Sequence, residues 1–406
     1  MSLPVPALHF AGSDPPRLKS LGRVLRDPLG SWPPEVLHRP YLEARSGRHR
    51  VVLVSEPGAV GQILLSRFPR CPIHDKILGA AFGEDLMRDD WLPWRRQRRT
   101  IAQPMSSERA PTVLPRLQLA LDRMIGRWES QPIDLMLDTR RVALDMLWSA
   151  FFCDDESARA ADPLVEAAAE ALDRHPDLTD QLKALEPLAG EAIQREAFDR
   201  FDIRGGEPVS ISTIRFFLHA GHENSAAALT WALWLLAAHP EWQQRARDEW
   251  KDAGELTRLE MSAYPITGAV IRETLRLFPP ILQLSREVDA DINVGGETLA
   301  GGFTAIVDLY ALHRNRLWWQ EPDRFDPERF LGSGDDIKRQ SLWLAFGTGP
   351  RGCIGAVFAQ TELTLALGRI LSRFRLLPNP AEGLSCRANW ALRPEGRRAL
   401  LLESLD

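Results

Sequence analysis

One cysteine lies in the segment of the chain that is best suited to chemistry. Cys353 is part of Leu344–Gly355, which reads LAFGTGPRGCIG. A loop so rich in glycine can turn several backbone N–H groups toward the sulfur and stabilise a thiolate. The dipole of a helix that begins near Gly355 would add to this effect. The segment therefore predicts a thiolate that ligates a metal such as iron, and a buried structural cysteine is the alternative.

The same glycines admit a second interpretation, a dinucleotide-binding turn. Gly347, Gly349 and Gly352 spell G-x-G-x-x-G between a strand-like run and a helix. That fingerprint also needs an acidic residue about 20 positions later to bind the ribose. Residues 363–380 contain no Asp or Glu. The pattern therefore disfavours a dinucleotide site, whereas glycines on both sides of the cysteine allow a flat macrocycle to approach the backbone.

Two charged motifs precede the cysteine segment. Glu273 and Arg276 form E-x-x-R, in which residues i and i+3 share one face of a helix. Arg329 belongs to the segment Pro327–Phe330, which reads PERF. The spacing is compatible with a cluster of buried charges and also with two unrelated surface pairs.

The longest helical pattern carries a further group of polar residues. It runs from about residue 210 to 239 and is apolar on most of its circumference, which predicts a buried helix. His219, His222 and Glu223 lie in its middle in the order H-x-x-H-E. That order matches neither H-E-x-x-H nor its inverse, so a zinc site is disfavoured. Glu223 is nevertheless an acid on a helix that should be buried.

Strands and further helices must position these residues. Alternating and β-branched residues predict a hairpin over residues 41–54 and another over residues 291–307. Helical spacing of apolar residues covers residues 111–153, 155–200, 241–251 and 263–277. Helix therefore dominates and the strands form short ribbons, which disfavours a doubly wound α/β fold.

The composition is that of an ordinary globular protein. The chain has 406 residues, 44% apolar and 26% charged, which excludes intrinsic disorder. A formal charge of −5 gives no basis for bulk nucleic-acid binding. Four cysteines cannot form a disulfide framework, and neither a signal-peptide pattern nor an apolar run of about 18 residues is seen. These features predict a cytoplasmic protein with no membrane or nucleic-acid partner.

The cysteine segment resembles that of a known family. FGTGPRGCIG is similar, at every fixed position, to F-x-x-G-x-R-x-C-x-G of the cytochrome P450 superfamily, and E-x-x-R and PERF precede it in the family's order. The resemblance covers roughly residues 40–400. It implies a mainly α fold with small β-sheets around a buried haem b, in one catalytic domain over residues 1–406 without a fused reductase. Cys353 would be the proximal thiolate ligand of the haem iron, in a loop with Phe346, Gly347, Arg351 and Gly355.

The resemblance also implies roles for residues outside this loop. Glu273, Arg276 and Arg329 would form a buried charged cluster that braces the core beneath the haem. The donors to the haem propionates would be Trp94, Arg98, Arg286 and Arg351. The substrate pocket would be lined by Ile77, Leu78, Ile214, Phe217, Ala220, Ile281, Leu282 and Trp390. Each of these apolar residues is equally compatible with plain core packing.

The reaction that the resemblance implies is monooxygenation. Dioxygen would be activated with electrons from NAD(P)H, delivered by a ferredoxin or flavodoxin and its reductase, to hydroxylate, epoxidise or O-dealkylate a small-to-medium hydrophobic substrate. An acidic ferredoxin-like partner would dock near the cysteine loop, where Arg95 and Arg99 would form an exposed cationic stripe.

The sequence departs from the family pattern at one catalytic position. The segment AGHEN, residues 220–224, resembles [AG]-G-x-[DE]-T, in which small residues such as Gly221 open a groove and the acid and hydroxyl organise proton delivery. Asn224 replaces the usual Thr beside Glu223, and an amide cannot relay a proton as a hydroxyl does. Ser225 lies about 100° further round the helix. The change leaves open a peroxide-driven peroxygenase or a haem-thiolate enzyme that performs no oxygenation.

Overall fold

Most of the chain after residue 30 is described by the computed structural model. The described residues are 31–73, 75–76, 79, 98, 102, 105, 110–154, 156–174, 178–194, 211–251, 253, 261–332, 342–388 and 391–405. Ile77, Leu78, Trp94, Arg95, Arg99 and Trp390 lie outside them.

Helices form most of the described chain. In chain order they are α1 Pro57–Leu65, α2 Ala110–Ser130, α3 Leu135–Phe152, α4 Pro163–Arg174, α5 Leu178–Ala184, α6 Glu186–Gln194, α7 Ile211–Ala238, α8 Pro240–Glu249, α9 Pro265–Leu277, α10 Leu309–Leu312 and α11 Ala356–Arg373. Proline opens α1, α4, α8 and α9, where its missing N–H costs nothing and its fixed φ suits the first turn.

The strands are short and form one larger sheet and three hairpin-like pairs. They are β1 Tyr41–Ser46, β2 His49–Val54, β3 Gln283–Val288, β4 Ile292–Val294, β5 Glu297–Leu299, β6 Phe303–Asp308, β7 Phe374–Pro378, β8 Ser385–Ala388, β9 Leu392–Glu395 and β10 Leu400–Ser404. The larger sheet has the order β1-β2-β6-β3, and β4 pairs with β5, β7 with β10 and β8 with β9. Within the larger sheet β2 and β6 run parallel, so early and late segments of the chain are joined.

The long helix α7 lies at the centre of the main hydrophobic core. It is buried along nearly its whole length, as its apolar circumference predicted, and it packs closely on α3. Trp231 of α7 stacks on Phe278, just after α9, with ring centroids 3.9 Å apart. The hydroxyls of Thr139 and Thr230 lie 2.7 Å apart between α3 and α7. These contacts fix α7 against two neighbours, so its middle turns have a defined surrounding.

The mainly α fold with small sheets is confirmed, with differences in detail. The hairpin over residues 41–54 is confirmed as β1 and β2. The hairpin expected over residues 291–307 was wrong in its extent, because it ends at Leu299 and β6 instead joins the larger sheet. All six residues of β6 are buried, as befits a strand between β2 and β3. The helical run over residues 155–200 is divided into α4, α5 and α6.

Within the described residues, no helix has both the length and the apolar character that crossing a membrane would require.

Candidate functional site

The cysteine loop has a backbone shape that only glycine adopts readily. Gly347 and Gly349 have φ of 64° and 71°, in the left-handed region. A Cβ on Gly349 would also lie 2.4 Å from the carbonyl oxygen of Leu64, at the end of α1. The loop then passes through a 3₁₀ turn, Gly349–Arg351, to reach Cys353. The glycines thus serve a tight turn packed against α1, which is not the geometry that the dinucleotide interpretation required.

Cys353 is exposed to solvent, although many protein atoms also lie close to its side chain. Its backbone N–H donates to the carbonyl of Phe346 at 2.8 Å, and Arg98 Nη2 donates to the carbonyl of Gly352 at 2.5 Å. Burial raises the pKa of the Cys353 thiol, and the N–H of Gly355 and the charge of Arg98 act in the opposite direction without outweighing it. The loop alone therefore does not make the thiolate that its glycines suggested. A bound metal cation would favour the thiolate.

Three of the four donors proposed for the propionates lie around one small region. Arg286 of β3 is buried, and Arg351 is half-buried; both line a cavity of about 180 Å³ that Arg67 also borders. The pKa of Arg98 is lowered, chiefly by burial and further by the charge of Arg351. Cations at such short range favour an anionic ligand between them, and carboxylates suit guanidinium forks. Trp94, the fourth donor, lies outside the described residues.

The structure brings Glu273, Arg276 and Arg329 together in one charged cluster. Glu273 and Arg276 are fully buried, with Glu273 oxygens 2.6 and 2.8 Å from Arg276 Nε and Nη2. Arg329 Nε lies 3.4 Å from Glu273 Oε1, which also accepts from the backbone N–H of Asp326 at 2.8 Å. The cluster joins α9 to the PERF segment, as the resemblance implied.

A histidine connects this cluster to the cysteine loop. Arg276 Nη1 donates to the carbonyl of His313 at 2.7 Å, and His313 Nε2 accepts from the backbone N–H of Leu344 at 3.0 Å. Burial, with the charge of Arg276, lowers the pKa of His313 to about 3, so the ring is neutral and can accept. The loop that presents Cys353 is therefore connected to Glu273 through Arg276 and His313.

On α7, Glu223 is buried within a ring of basic side chains. Arg140 of α3 donates to its two oxygens at 3.2 and 3.3 Å, and Arg393 Nη1 of β9 lies 3.1 Å from Oε1. His222 Nε2 lies 3.3 Å from Oε2. Burial acts to raise the pKa of Glu223, but the charges of Arg140 and Arg393 outweigh it and hold the pKa well below its usual range. Glu223 is therefore a carboxylate at neutral pH.

The two histidines near Glu223 are held within the helical core. His222 Nδ1 donates to the carbonyl of Leu218 at 2.7 Å, and His219 Nε2 lies 3.1 Å from Gln181 Oε1 of α5. Burial lowers the pKa of His219 to about 3. Across the described chain no group of three His, Cys, Asp or Glu side chains is arranged to hold a metal ion.

Asn224 uses its amide within its own helix. Its Nδ2 donates to the carbonyl of Ala220, one turn earlier, at 3.0 Å. Asn224 and Ala220 are both half-buried and lie one turn apart on α7. The hydrogen bond orients the amide and leaves Oδ1 as its acceptor group.

Gly221 has a packing reason that the sequence did not reveal. A Cβ at this position would lie 2.8 and 3.0 Å from the two terminal methyl carbons of Leu147 on α3. The missing side chain therefore lets α3 and α7 approach each other. A Cβ on Gly221 would point toward Leu147. This packing contact is distinct from the groove beside a bound group that the family pattern implies for Gly221.

The residue after Asn224 makes a contact that reaches the helix following the cysteine. Ser225 Oγ donates to Glu362 Oε2 of α11 at 2.8 Å, and both side chains are buried. Glu362 Oε1 has no hydrogen-bond partner among the described residues. Burial raises the pKa of Glu362 to about 8, so this carboxyl keeps its proton at neutral pH. The site therefore contains one carboxylate, Glu223, and one carboxylic acid, Glu362. Their different surroundings give the two groups different protonation states.

We expect Glu362→Gln to change how stability depends on pH. The pKa of Glu362 is about 8 in the folded protein against 4.5 ordinarily, so the folded state binds this proton more tightly. The resulting stability is fully present below about pH 4.5 and is lost as pH rises toward 8, by roughly 1.4 kcal/mol per pH unit at most. The melting temperature of Glu362→Gln, relative to that of the wild type, should therefore rise as the pH increases from 5 to 8. Exposed Glu170 supplies the control, Glu170→Gln; a constant difference for Glu362→Gln would contradict the assignment.

The residues proposed for the substrate pocket divide into two groups. Ala220 is half-buried and Ile281 is 40% exposed, so both have a free surface. Ile214, Phe217 and Leu282 belong to the main core, and the ring of Phe217 lies 5.3 Å from that of Phe151 in an edge-to-face contact. These three residues therefore have the core packing that was the alternative for them, and their part in a substrate pocket stays a prediction.

Three residues of the site were missed by sequence reasoning. Arg140 and Arg393 carry no local motif, because their partner Glu223 is distant in the sequence. Glu362 had a detectable signal, since it is the single acid in an otherwise apolar and uncharged stretch of α11, residues 356–368. An isolated acid in such a run indicates burial.

Comparison with known proteins adds an independent line of evidence. The family model described as Cytochrome P450 matches residues 209–400. Cytochrome P450 4X1 of Rattus norvegicus is 34% identical over 223 residues, which are 54% of this chain and 43% of that protein. Leukotriene-B4 omega-hydroxylase 3 of Mus musculus is 30% identical over 309 residues, 71% of this chain and 56% of that protein. The chain thus spans only about half, or less, of the length of these curated relatives.

A solved structure extends the similarity to most of the chain. The crystal structure of the cytochrome P450DA heme domain superposes with a TM-score of 0.71, covering 90% of this chain and 89% of that one. Its sequence identity is 23%, so this similarity establishes the fold.

Proposed function

Since the chain belongs to the cytochrome P450 superfamily, whose cofactor is haem, we propose that it is a haem-thiolate monooxygenase. The observation that carries the proposal is the arrangement of Cys353, Glu223 and Asn224 on elements that the same core holds in place. In this proposal one catalytic domain is formed by the whole chain. The larger sheet supports a single domain because it joins β1 and β2 to β3 and β6 from much later in the sequence.

The described residues fit a haem. Cys353 offers an exposed thiol, and Arg98, Arg286 and Arg351 gather positive charge suited to propionates. Among the residues that the structure describes, none that lines the cavity shared by Arg286 and Arg351 is an Asp or Glu. Bound there, haem would supply the redox chemistry that activates dioxygen. The protein's part is to ligate through Cys353 Sγ, to bind the propionates and to control protons on the α7 side.

Proton control falls to two buried carboxyl groups. Glu223 is a carboxylate next to Asn224, so it can accept a proton and pass it on at its Oε atoms. Asn224 Oδ1 can hold a water by hydrogen bonding while Nδ2 remains on Ala220. Glu362, protonated and bound by Ser225 Oγ, is a second proton store on the neighbouring helix. Together they offer a route that does not require the missing threonine hydroxyl.

A hydrophobic organic compound of small to medium size is the proposed substrate. Ala220 and Ile281 supply the apolar free surface that supports this class. Ile77, Leu78 and Trp390 stay in the proposal although they lie outside the described residues. One relative is named for hydroxylating leukotriene B4, a hydrophobic carboxylic acid, which makes that compound a reasonable first probe. Hydroxylation, epoxidation and O-dealkylation all remain within the proposed reaction class.

The proposed electron donors are a ferredoxin or flavodoxin with its reductase, drawing on NAD(P)H. Docking near the cysteine loop is supported by Arg67 and Arg351 at the cavity there, and by exposed Val357 and Leu65 close to the loop. Arg95 and Arg99 belong to the same proposal. We also propose a cytoplasmic location, which agrees with the four free cysteines.

A peroxide-driven enzyme is the second candidate, and Asn224 is the observation that favours it. The amide N–H of Asn224 is committed to Ala220, and Glu223 is held by two arginines, so neither group is a ready proton donor. Hydrogen peroxide already carries protons, so a peroxide-driven reaction would depend less on proton donors of the protein.

Two variants separate these candidates. Glu223→Gln should slow product formation from NAD(P)H and dioxygen by about 10²-fold or more, since general acid–base groups contribute that much. Asn224→Thr should be tolerated and change only the product formed per NAD(P)H, because Thr can also bond the Ala220 carbonyl. The measurement compares product per NAD(P)H and per hydrogen peroxide, with leukotriene B4 as probe and haem content as the control. Fast peroxide turnover with no effect of Glu223→Gln on the NAD(P)H-driven reaction would favour the peroxide-driven enzyme instead.

A further inference from the structure

We propose that Arg393 is a positioning residue that holds Glu223 as a carboxylate from the β8–β9 hairpin. The inference rests on the proposed function, in which Glu223 controls protons on the α7 side. The inference gives the short β8–β9 hairpin a role in the proton chemistry of Glu223 on the buried helix α7.

Two arginines hold Glu223, and they differ in how firmly they are fixed. Arg140 lies in the buried middle of α3 and also pairs with Asp173 Oδ1 at 3.2 Å. Arg393 Nη1 lies 3.1 Å from Glu223 Oε1, but its Nε has no hydrogen-bond partner within the described part of the chain. Arg393 also keeps 19% of its side-chain surface exposed, against 8% for Arg140. Loss of the Arg393–Glu223 contact therefore disturbs fewer other interactions than loss of the Arg140–Glu223 contact would.

The strand that carries Arg393 is tied to the segment with a free apolar surface. Ala391 forms an isolated β-bridge with Ile281, and the backbone N–H of Leu392 donates to the carbonyl of Pro280 at 2.9 Å. Leu392 itself is fully buried. Arg393 follows at once, so two residues of extended backbone join the Ile281 segment to the arginine that reaches Glu223.

The other charged and titratable groups around Glu223 do not replace Arg393. Arg140 faces it from α3, His219 and His222 share its helix, and Asp173 of α4 lies behind Arg140. His219 is neutral because burial lowers its pKa to about 3. Asp173 pairs with both Arg140 and Arg397, so Arg140 is shared between Asp173 and Glu223, and Arg393 is the second arginine at Glu223. Burial of Glu223 then favours its protonated form once Arg393 is removed.

The test follows the protonation of Glu223 directly, in the purified haem-loaded protein. The infrared C=O band of the protonated carboxyl is assigned to Glu223 by its absence in Glu223→Gln. In the wild type this band should be absent at every pH at which the protein stays folded. Arg393→Gln should bring the band into that range by raising the titration midpoint about one pH unit or more. Arg393→Lys should keep it absent, and Arg393→Met repeats the test without burying an amide.

A matched control lies on the same hairpin. Arg387 of β8 and Glu395 of β9 form an exposed pair at 2.5 Å, so Arg387→Gln removes a hairpin arginine without touching Glu223. This variant should leave the band absent, as in the wild type. A band that stays absent in Arg393→Gln and Arg393→Met, or appears equally in Arg387→Gln, would overturn the inference. Failure of the wild type to oxygenate any probe would instead refute the proposed function, since the infrared titration needs no turnover.

Discussion

Replacing Cys353 by Ala should abolish the red-shifted ferrous–CO Soret band that marks thiolate ligation of haem. Among the described residues, Arg98 and the Gly355 N–H act on Cys353, and Met105, whose Sδ lies beside Gly355, is a thioether that cannot form a thiolate. The expected loss is therefore complete, and the measurement is the ferrous–CO difference spectrum together with haem content.

The other three cysteines serve as matched controls. Cys71 and Cys153 are buried in hydrophobic clusters, and Cys386 lies in β8 at some distance from the loop. Ala at each of these positions should leave the band in place, whatever it does to stability. Loss of the band in one of these variants, with an unchanged spectrum for Cys353→Ala, would place the ligand elsewhere.

Glu273→Ala should leave little folded haem protein. Glu273 and Arg276 are fully buried, and Glu273 is also the partner of Arg329 and of the Asp326 N–H. Removing the acid leaves buried positive charge without a counter-charge, a change that typically costs about 3–5 kcal/mol. The damage should extend to the cysteine loop through His313. The measurements are the yield of soluble haem protein and the free energy of unfolding.

An exposed pair with the same helical spacing shows what burial contributes. Asp180 and Lys183 of α5 also lie at i and i+3, 2.9 Å apart, with 45% and 67% of their side chains exposed. Asp180→Ala should cost no more than about 1 kcal/mol, as exposed pairs do. If Glu273→Ala behaved like Asp180→Ala, with normal haem content and melting temperature, the cluster would not brace the core.

Features encoded within a few residues were predictable from the sequence. The cysteine loop is one of these, because φ above zero at Gly347 and Gly349 demands glycine. The buried helix α7 is another, because its apolar residues cover most of the circumference. The Glu273–Arg276 pair has helical i, i+3 spacing, and the family pattern supplied Arg329.

Features that depend on chain segments meeting in space were not predictable in the same way. Arg140 lies 83 residues from Glu223, and nothing in either sequence neighbourhood indicates the pair. β6 was assigned to the wrong hairpin because a fully buried strand has no alternation that marks its neighbours. The contact between the rings of Phe217 and Phe151 was also not predictable, because it depends on the position of α3. The direction of the Cys353 pKa likewise depended on burial, which the glycine count does not report.

The source of the oxygen atom in the product tests the central claim most directly. Purified protein would be supplied with NAD(P)H, a ferredoxin and its reductase, and leukotriene B4 or a compound from a hydrophobic library that shifts the Soret band. Under labelled dioxygen the account predicts one labelled oxygen atom per product molecule, and none when only the water is labelled. The account would be contradicted by product that carries oxygen from water, by product that forms only from added peroxide, or by a colourless protein that binds no haem.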